Sequence, residues 1–381
     1  MSQEILGKGI SISKEGINRR INEKSVSLLK DILNQVLSIN LSPINSIKSN
    51  FSSIVLTDAT SFQLPECLND SYSGFGGNHG RKGGVKVQYQ ISLTDGVTKT
   101  EITSATTNDQ KSTIIQPKEN ELHLFDLGYF SLARLKEFDE KGAYYLCRLK
   151  TNTIVSILTE GDFKLFDWQK TPKNFKVGET IELAVCLGNK REVKTRLFVS
   201  KLDKKNADEK RRKLRRYYQR HGRKPSKKNL KCCDFTFHIS NVPKKELSKD
   251  NAQKMYSLRW QIEIQFKTWK SFMNIDKVSH MNQCRFECHH YGSLIFILLT
   301  SKILQAYKYA YWEAEQVELS ELKAMKFLSI QKELIWKMIL GTNKEAKIAA
   351  ESISKTLRKT CIKEVRKGKK SPLEIIENCL S

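Results

Sequence analysis

Long apolar runs are missing from this 381-residue sequence. The nearest, Leu294–Leu299, falls far short of the roughly 18 uncharged residues of a membrane helix, so no membrane partner is expected. The N-terminus lacks the apolar centre of a secretory leader, because Lys8, Lys14, Arg19, Arg20 and Lys24 interrupt it. The nine cysteines are odd in number and lack framework spacing, which argues against a disulfide scaffold and for reduced thiols in an intracellular setting. Acid is scarce. Against 66 Lys and Arg there are 41 Asp and Glu, a net charge of +25. Yet 39% of the residues are hydrophobic, with 17 Phe, 12 Tyr and 5 Trp, too much apolar material for a disordered basic tail. A well-cored protein with this charge calls for a polyanion, and nucleic acid is the commonest one.

The charge is concentrated. Between Lys201 and Lys231, 15 Lys and Arg stand against Asp203, Asp208 and Glu209, a net +12 in 31 residues. Arg211, Arg212, Lys213, Arg215 and Arg216 form its densest part. Tyr217, Tyr218 and His221 are interleaved with the cations, a mixture that suits phosphates and stacked bases. Locally the stretch reads as a solvated, partly disordered loop, since blocks of like charge often stay unfolded.

Residues 1–50 read as helical, with Val26, Leu29, Ile32, Leu33, Val36 and Leu37 near a 3.6-residue period. Phe51–Asp58 is a short β-type run with Asp58 at its end, and the turn-rich SYSGFGGNHGRKGG follows. Val85–Leu93 alternates apolar with polar residues, as a strand does, and Thr98–Ala105 follows the Asp95-Gly96 turn. Leu122–Phe125 is another strand, ending at Asp126. Ser131 caps a helix carrying Leu132, Leu135 and Phe138 that Gly142 closes, and Ala143–Leu149 returns to strand. Three strands, then strand, helix and strand, outline a mixed α/β sheet. Residues 151–247 break this pattern with short strands (Thr180–Cys186, Val193–Val199, Phe235–Ile239) around the basic stretch and read as a β-rich insertion. From about Asn251 the chain is helical, with no proline until Pro372. Leu319, Leu322, Met325, Leu328, Ile335 and Met338 predict core packing in the C-terminal helices.

Asp58 and Asp126 each follow an apolar strand. Paired strands would bring both carboxylates to one sheet edge, where two hard oxygen ligands could hold Mg²⁺; for either residue alone, a turn former or helix cap is the plain alternative. Met255–Met273 (MYSLRWQIEIQFKTWKSFM) is free of Gly and Pro and reads as one amphipathic helix. At about 100° per residue, Tyr256, Arg259, Glu263 and Lys270 share an arc of about 60°, with Lys267 beside them, while Leu258, Ile262, Trp269, Phe272 and Met273 face away. An ordinary salt-bridged surface would explain Arg259 and Glu263, an i,i+4 pair, but has no need of Tyr256 or Lys270. A carboxylate, cations and a phenol on one face suit a metal-bound phosphodiester.

The pattern Tyr256-x2-Arg259-x3-Glu263-x6-Lys270 resembles the Tyr-Arg-Glu-Lys signature of DDE-type insertion-sequence transposases. TDATSFQLP around Asp58 and FDLGYF around Asp126 are similar to that family's first two acidic motifs, and GAYYLCRLKTNT to the segment after the second. The resemblance covers roughly residues 50–310. It implies an RNase H-like core at 51–150 and 248–310, interrupted by the β-rich insertion at 151–247 and followed by a helical region at 311–381. It implies a partial end-binding segment at 1–50, because 57 residues before Asp58 are fewer than the family usually has. It further implies two Mg²⁺ ions, with Mn²⁺ as a substitute, on Asp58, Asp126 and Glu263. Tyr256, Arg259 and Lys270 would then grip phosphates of a terminal inverted repeat, in a homodimeric complex in the bacterial cytoplasm. The reaction implied is cut-and-paste transposition. An inactive DNA-binding remnant that inhibits transposition, and a stand-alone metal-dependent nuclease, remain the other readings. From composition, the charge on 201–231 is expected to track flanking or target DNA.

Two further patterns carry less. Cys284-x3-Cys288-His289-His290, with Cys232, Cys233 and His280, lacks the paired CxxC spacing of structural zinc, and its neighbours look like helix packing. Gly74–Gly84 lacks the Gly-Lys-Ser/Thr ending of a phosphate loop and reads as a flexible turn, with Arg81 and Lys82 available to DNA.

Overall fold

Ser53–Leu64 (β1) begins with Ile54, Val55 and Leu56, apolar on both sides of the pleat, which suits a strand covered on both faces. A computed structural model describes residues 12–39, 49–74, 82–159, 162–168, 175–364 and 370–379. In it β1 lies third from one edge of a ten-stranded sheet of order β3-β2-β1-β4-β5-β10-β9-β8-β6-β7. β2 (Gly83–Ser92) and β3 (Thr98–Ser104) are antiparallel neighbours on one side. β4 (Glu121–Phe125) and β5 (Tyr144–Arg148) run parallel to β1 on the other. The crossover between them carries helix Leu132–Glu140, capped by the Ser131 hydroxyl and closed at Gly142, where φ is +62°.

The strands of the 151–247 block continue the same sheet. β6 (Val155–Thr159), β7 (Asp162–Leu165), β8 (Thr180–Leu187), β9 (Val193–Lys201) and β10 (Phe235–Ser240) are joined to it through β10, which pairs antiparallel with β5.

Helices cover the faces. Taken in chain order they are α1 (Lys14–Arg20), α2 (Glu23–Ser38), α3 (Leu132–Glu140), α4 (Lys204–Arg220), α5 (Lys227–Cys232), α6 (Lys249–Ser257), α7 (Trp260–Ser271), α8 (Gln283–Glu315), α9 (Glu321–Ile330), α10 (Lys332–Leu340), α11 (Asn343–Thr360) and α12 (Pro372–Cys379). Pleat parity assigns the two faces. Ile54, Leu56, Leu122, Leu124 and Leu146 pack on Val26, Leu33, Met255, Trp269 and Leu294 of α2, α6, α7 and α8. Phe125, Tyr145 and Cys147 point the other way, to α3 and the strands beyond β5. A third cluster, including Leu319, Met325, Leu328 and Ile335, holds the C-terminal helices to α8, with Met338 partly buried at its margin and Leu322 left 37% exposed.

Three expectations change. β1 does not end at Asp58. It runs six residues further because β2 pairs with it as far as Leu64↔Gly83, whereas β4 stops opposite Thr57, so Asp58 is the first residue past the parallel pairing. The basic stretch is helical rather than a loop. Asp203 caps α4 by accepting from the Asn206 N–H, Glu209–Lys213 and Asp208–Arg211 pairs brace it, and long straight cationic side chains cost a helix little. The single helix expected over Met255–Met273 is two, joined by a tight turn at Leu258 and Arg259. The glycine-rich run, with Arg81, lies outside the described residues apart from Gly74 and Lys82–Gly84.

Candidate active site

Register brings distant residues into line. Thr57 pairs with Phe125, and Phe125 with Cys147, so the next residues along the parallel strands, Asp58, Asp126 and Arg148, fall in one row. The antiparallel pairs Asp58↔Tyr89 and Arg148↔His238 extend that row on both sides. By the parity of the pleat all five side chains lie on the face covered by α6 and α7.

The two helices supply the remaining groups. The Arg259 guanidinium donates to Asp58 Oδ2 at 2.8 Å and to Glu263 Oε1. Tyr256 Oη donates to Asp126 Oδ1 at 3.3 Å, and Arg148 approaches the same oxygen at 3.6 Å. The tight turn makes this possible. Its N–H groups at Leu258, Arg259, Gln261 and Ile262 bond to carbonyls three residues back, and at about three residues per turn positions i and i+3 eclipse. Tyr256 and Arg259 therefore stand one above the other, with the guanidinium 5.8 Å from the ring centroid. The Tyr256 ring also lies 4.4 Å from that of His238, a buried imidazole held neutral, its pKa brought down to about 3 by burial and by Arg148 and Lys210.

The other expected residues lie on α7 and on α4. Lys270 donates to the Ser61 carbonyl at 3.1 Å, and Lys267 is exposed on α7. On α4, Arg211 turns inward to Asp208 and Asp234, Lys213 pairs with Glu209 at 2.8 Å, and Arg212, Arg215 and Arg216 are exposed. The helix starts at the end of β9 that faces the same sheet edge as Asp126, and Lys210, bonded to the Phe235 carbonyl, contributes to the field at Arg148 and His238. Arg148 and His238 escaped the sequence reading; Arg148 stands within a segment singled out there, but only strand register sets it beside Asp126.

The carboxylates are strained electrostatically. Burial raises the Asp58 pKa to about 6; Arg259 and the Ala59 N–H oppose it, while Asp126 and Glu263 reinforce it. Burial pushes the Asp126 pKa upward too, but the Leu127 N–H, Arg259, Arg148 and Tyr256 outweigh it and the net movement is downward. Loss of water is thus the largest cause at Asp58, and Arg259 the largest charge acting on it. Three carboxylates are hard oxygen donors, the chemistry that suits Mg²⁺ or Mn²⁺. Among the described residues no three acidic, His or Cys side chains already surround one point, and the guanidinium is the cation that Asp58 and Glu263 share.

Comparison with known proteins decides the family. A family described as "Transposase DDE domain" matches residues 49–299, about two thirds of the chain. The chain belongs to the DDE transposase family. Among its relatives is the transposase for insertion sequence element IS231F of Bacillus thuringiensis subsp. israelensis, 30% identical over 362 residues, 89% of this chain and 76% of the relative. The transposase for IS231E of Bacillus thuringiensis subsp. finitimus is 29% identical over 391 residues, covering 97% and 81%. The transposase for IS1151 of Clostridium perfringens is 32% identical over 338 residues, covering 82% and 71%. The matched segment of this DDE family member contains Asp58, Asp126 and Glu263 together with the whole row across the sheet.

Proposed function

We propose that this chain cuts DNA at the ends of an insertion sequence and joins them to a target, holding two Mg²⁺ ions on Asp58, Asp126 and Glu263, with Mn²⁺ as a substitute. The observation that carries this reading is that Asp58 and Asp126 project from neighbouring parallel strands onto the face where Arg259 binds Asp58 and Glu263 together. Bound there, the ions would activate water or a DNA 3′-OH and stabilise the leaving oxygen of an in-line displacement. Arg259 exchanges its carboxylate partners for a phosphate oxygen as DNA enters. Tyr256 and Arg148, already at Asp126, and Lys270 with Lys267 along α7, hold neighbouring phosphates by charge-assisted hydrogen bonds. Arg212, Arg215 and Arg216, with Arg211 and Lys213, carry flanking or target duplex away from the centre.

The strand order β3-β2-β1-β4-β5, with β1, β4 and β5 parallel, supports an RNase H-like core at 51–150 and 248–310. In this assignment 151–247 is the insertion, 1–50 an end-binding segment and 311–381 the helical C-terminal region. A homodimer holding two inverted repeats, working on nucleoid DNA in a bacterial cytoplasm, completes the reading.

The test uses the purified full chain and duplexes bearing the element's own terminal inverted repeats. Cleavage is expected with Mg²⁺ or Mn²⁺, and joining of the cut ends to a target plasmid distinguishes a transposase from a nuclease. Asp58→Asn, Asp126→Asn and Glu263→Gln should each abolish cleavage; a variant that cuts as well as the parent overturns the assignment.

A further inference from the structure

Asp126 is followed immediately by the short 3₁₀ turn Leu127–Tyr129, which has no side-chain cap of its own. Within the turn the Asp126 and Leu127 carbonyls accept from the Tyr129 and Phe130 N–H groups, and the Tyr129 carbonyl takes its donor from elsewhere. Arg134, on the first turns of α3, is buried and makes no ion pair with a carboxylate among the described residues. Its Nη1 donates to the Tyr129 carbonyl at 2.7 Å, and its Nη2 to the Gln110 and Ser112 carbonyls at 3.1 Å each. The planar fork thus joins the turn after Asp126 to a second loop, 109–112.

The second loop answers the contact. Gln110 Nε2 donates to the Phe130 carbonyl at 2.7 Å, and Tyr129 Oη to Gln88 Oε1. Asp109 is fixed in turn by Lys86 at 2.8 Å and Gln88 at 3.1 Å. It lies so near Gly128 that a Cβ there would come within 2.7 Å of its Oδ2. Burying a guanidinium costs free energy that a structural methionine or leucine would avoid. What the arginine alone offers is several donors in a rigid fork, able to satisfy three carbonyls from two segments.

We propose that Arg134 is a positioning residue for the active site, clamping the Leu127–Tyr129 turn so that the Asp126 carboxylate keeps the orientation a divalent cation requires. The inference rests on the reading of Asp126 as a metal ligand. It acts as supporting groups do elsewhere, where loss of the group that orients a ligand weakens metal binding or activity about 10–100-fold.

The test measures Mn²⁺ binding to the full chain without DNA, by water-proton relaxation, for the parent, Asp126→Asn, Arg134→Lys and Arg134→Ala. Melting followed by circular dichroism shows which variants fold. Arg134→Ala should bind Mn²⁺ about 10–100-fold more weakly than the parent, and millimolar ethylguanidinium should restore binding. Arg134→Lys should remain weak, because one ammonium cannot reach three carbonyls, and it is read alone if the Ala variant fails to fold. A folded Arg134 variant that binds Mn²⁺ within twofold of the parent overturns the proposal. So does a loss in Arg134→Ala that ethylguanidinium leaves unchanged. A parent that binds Mn²⁺ no better than Asp126→Asn instead removes the metal reading, and with it this one.

Discussion

Asp58→Asn should make the protein more stable at pH 7 while destroying its activity. The side chain is 20% exposed, and its carboxyl is raised by burial from the ordinary 3.8 to about 6. A carboxyl whose folded pKa exceeds its unfolded one binds more protons in the native state, so stability falls as pH rises from about 4 to about 6 and the deficit is complete above that. Asn imitates the protonated acid. At about 1.4 kcal/mol per pH unit, the rise from 3.8 to about 6 makes the gain at pH 7 about 3 kcal/mol at most, or several degrees in Tm. Asp126→Asn should do the reverse at neutral pH, because its folded pKa is lowered. Its contribution is present above the unfolded value and is lost as pH falls through the folded one. The assay is calorimetric Tm from pH 4 to 8 in EDTA for the three proteins. The Asp58 variant should match the parent near pH 4 and exceed it by pH 7, and saturating Mn²⁺ should raise the parent alone. An Asp58 variant that melts below the parent at pH 7, or whose difference ignores pH, refutes the reasoning.

Three further outcomes follow from the same geometry. Arg148→Ala removes a cation 3.6 Å from Asp126, so the acid limb of the cleavage pH profile should move to higher pH; an unmoved limb places Arg148 outside the site. Replacing Arg212, Arg215 and Arg216 together by Gln should flatten the salt dependence of duplex binding by up to about 2.7 in log K against log salt, at about 0.9 per phosphate contact. An unchanged slope would retire α4 as a DNA contact. Gly128→Ala sets a methyl against the Asp109 carboxylate, itself held by Lys86 and Gln88. It should lower Tm by a few degrees, with cleavage falling more than stability, as measured side by side.

The parts of the site that repeat along the chain were legible. Asp58 and Asp126 stood out because each follows an apolar run of residues, and Tyr256, Arg259, Glu263 and Lys270 because helical spacing puts them on one face. What escaped was set across the chain. Arg148 and His238 reach the centre through strand register, and register depends on which strands pair, not on the residues within any one of them. The α4 helix was hidden for a different reason: Ala207 is its one buried residue, so there was almost no apolar period to read, and cation density passed for disorder.

The tight turn at Leu258 and Arg259 shows how little disruption a site can need. No Gly or Pro marks it, and a continuous helix would leave Tyr256 and Arg259 about 60° apart around its axis. Drawn to i→i+3 bonding, the same residues eclipse, so the phenol meets Asp126 while the guanidinium lies between Asp58 and Glu263. Two carboxylates from adjacent strands point the same way because the pleat makes them. The third must be brought by a helix, and the helix is adjusted by one turn to fit. Leu258, 1% exposed, anchors that turn in the core, so enlarging or shrinking it should move Tyr256 and Arg259 together and lower cleavage without touching a carboxylate.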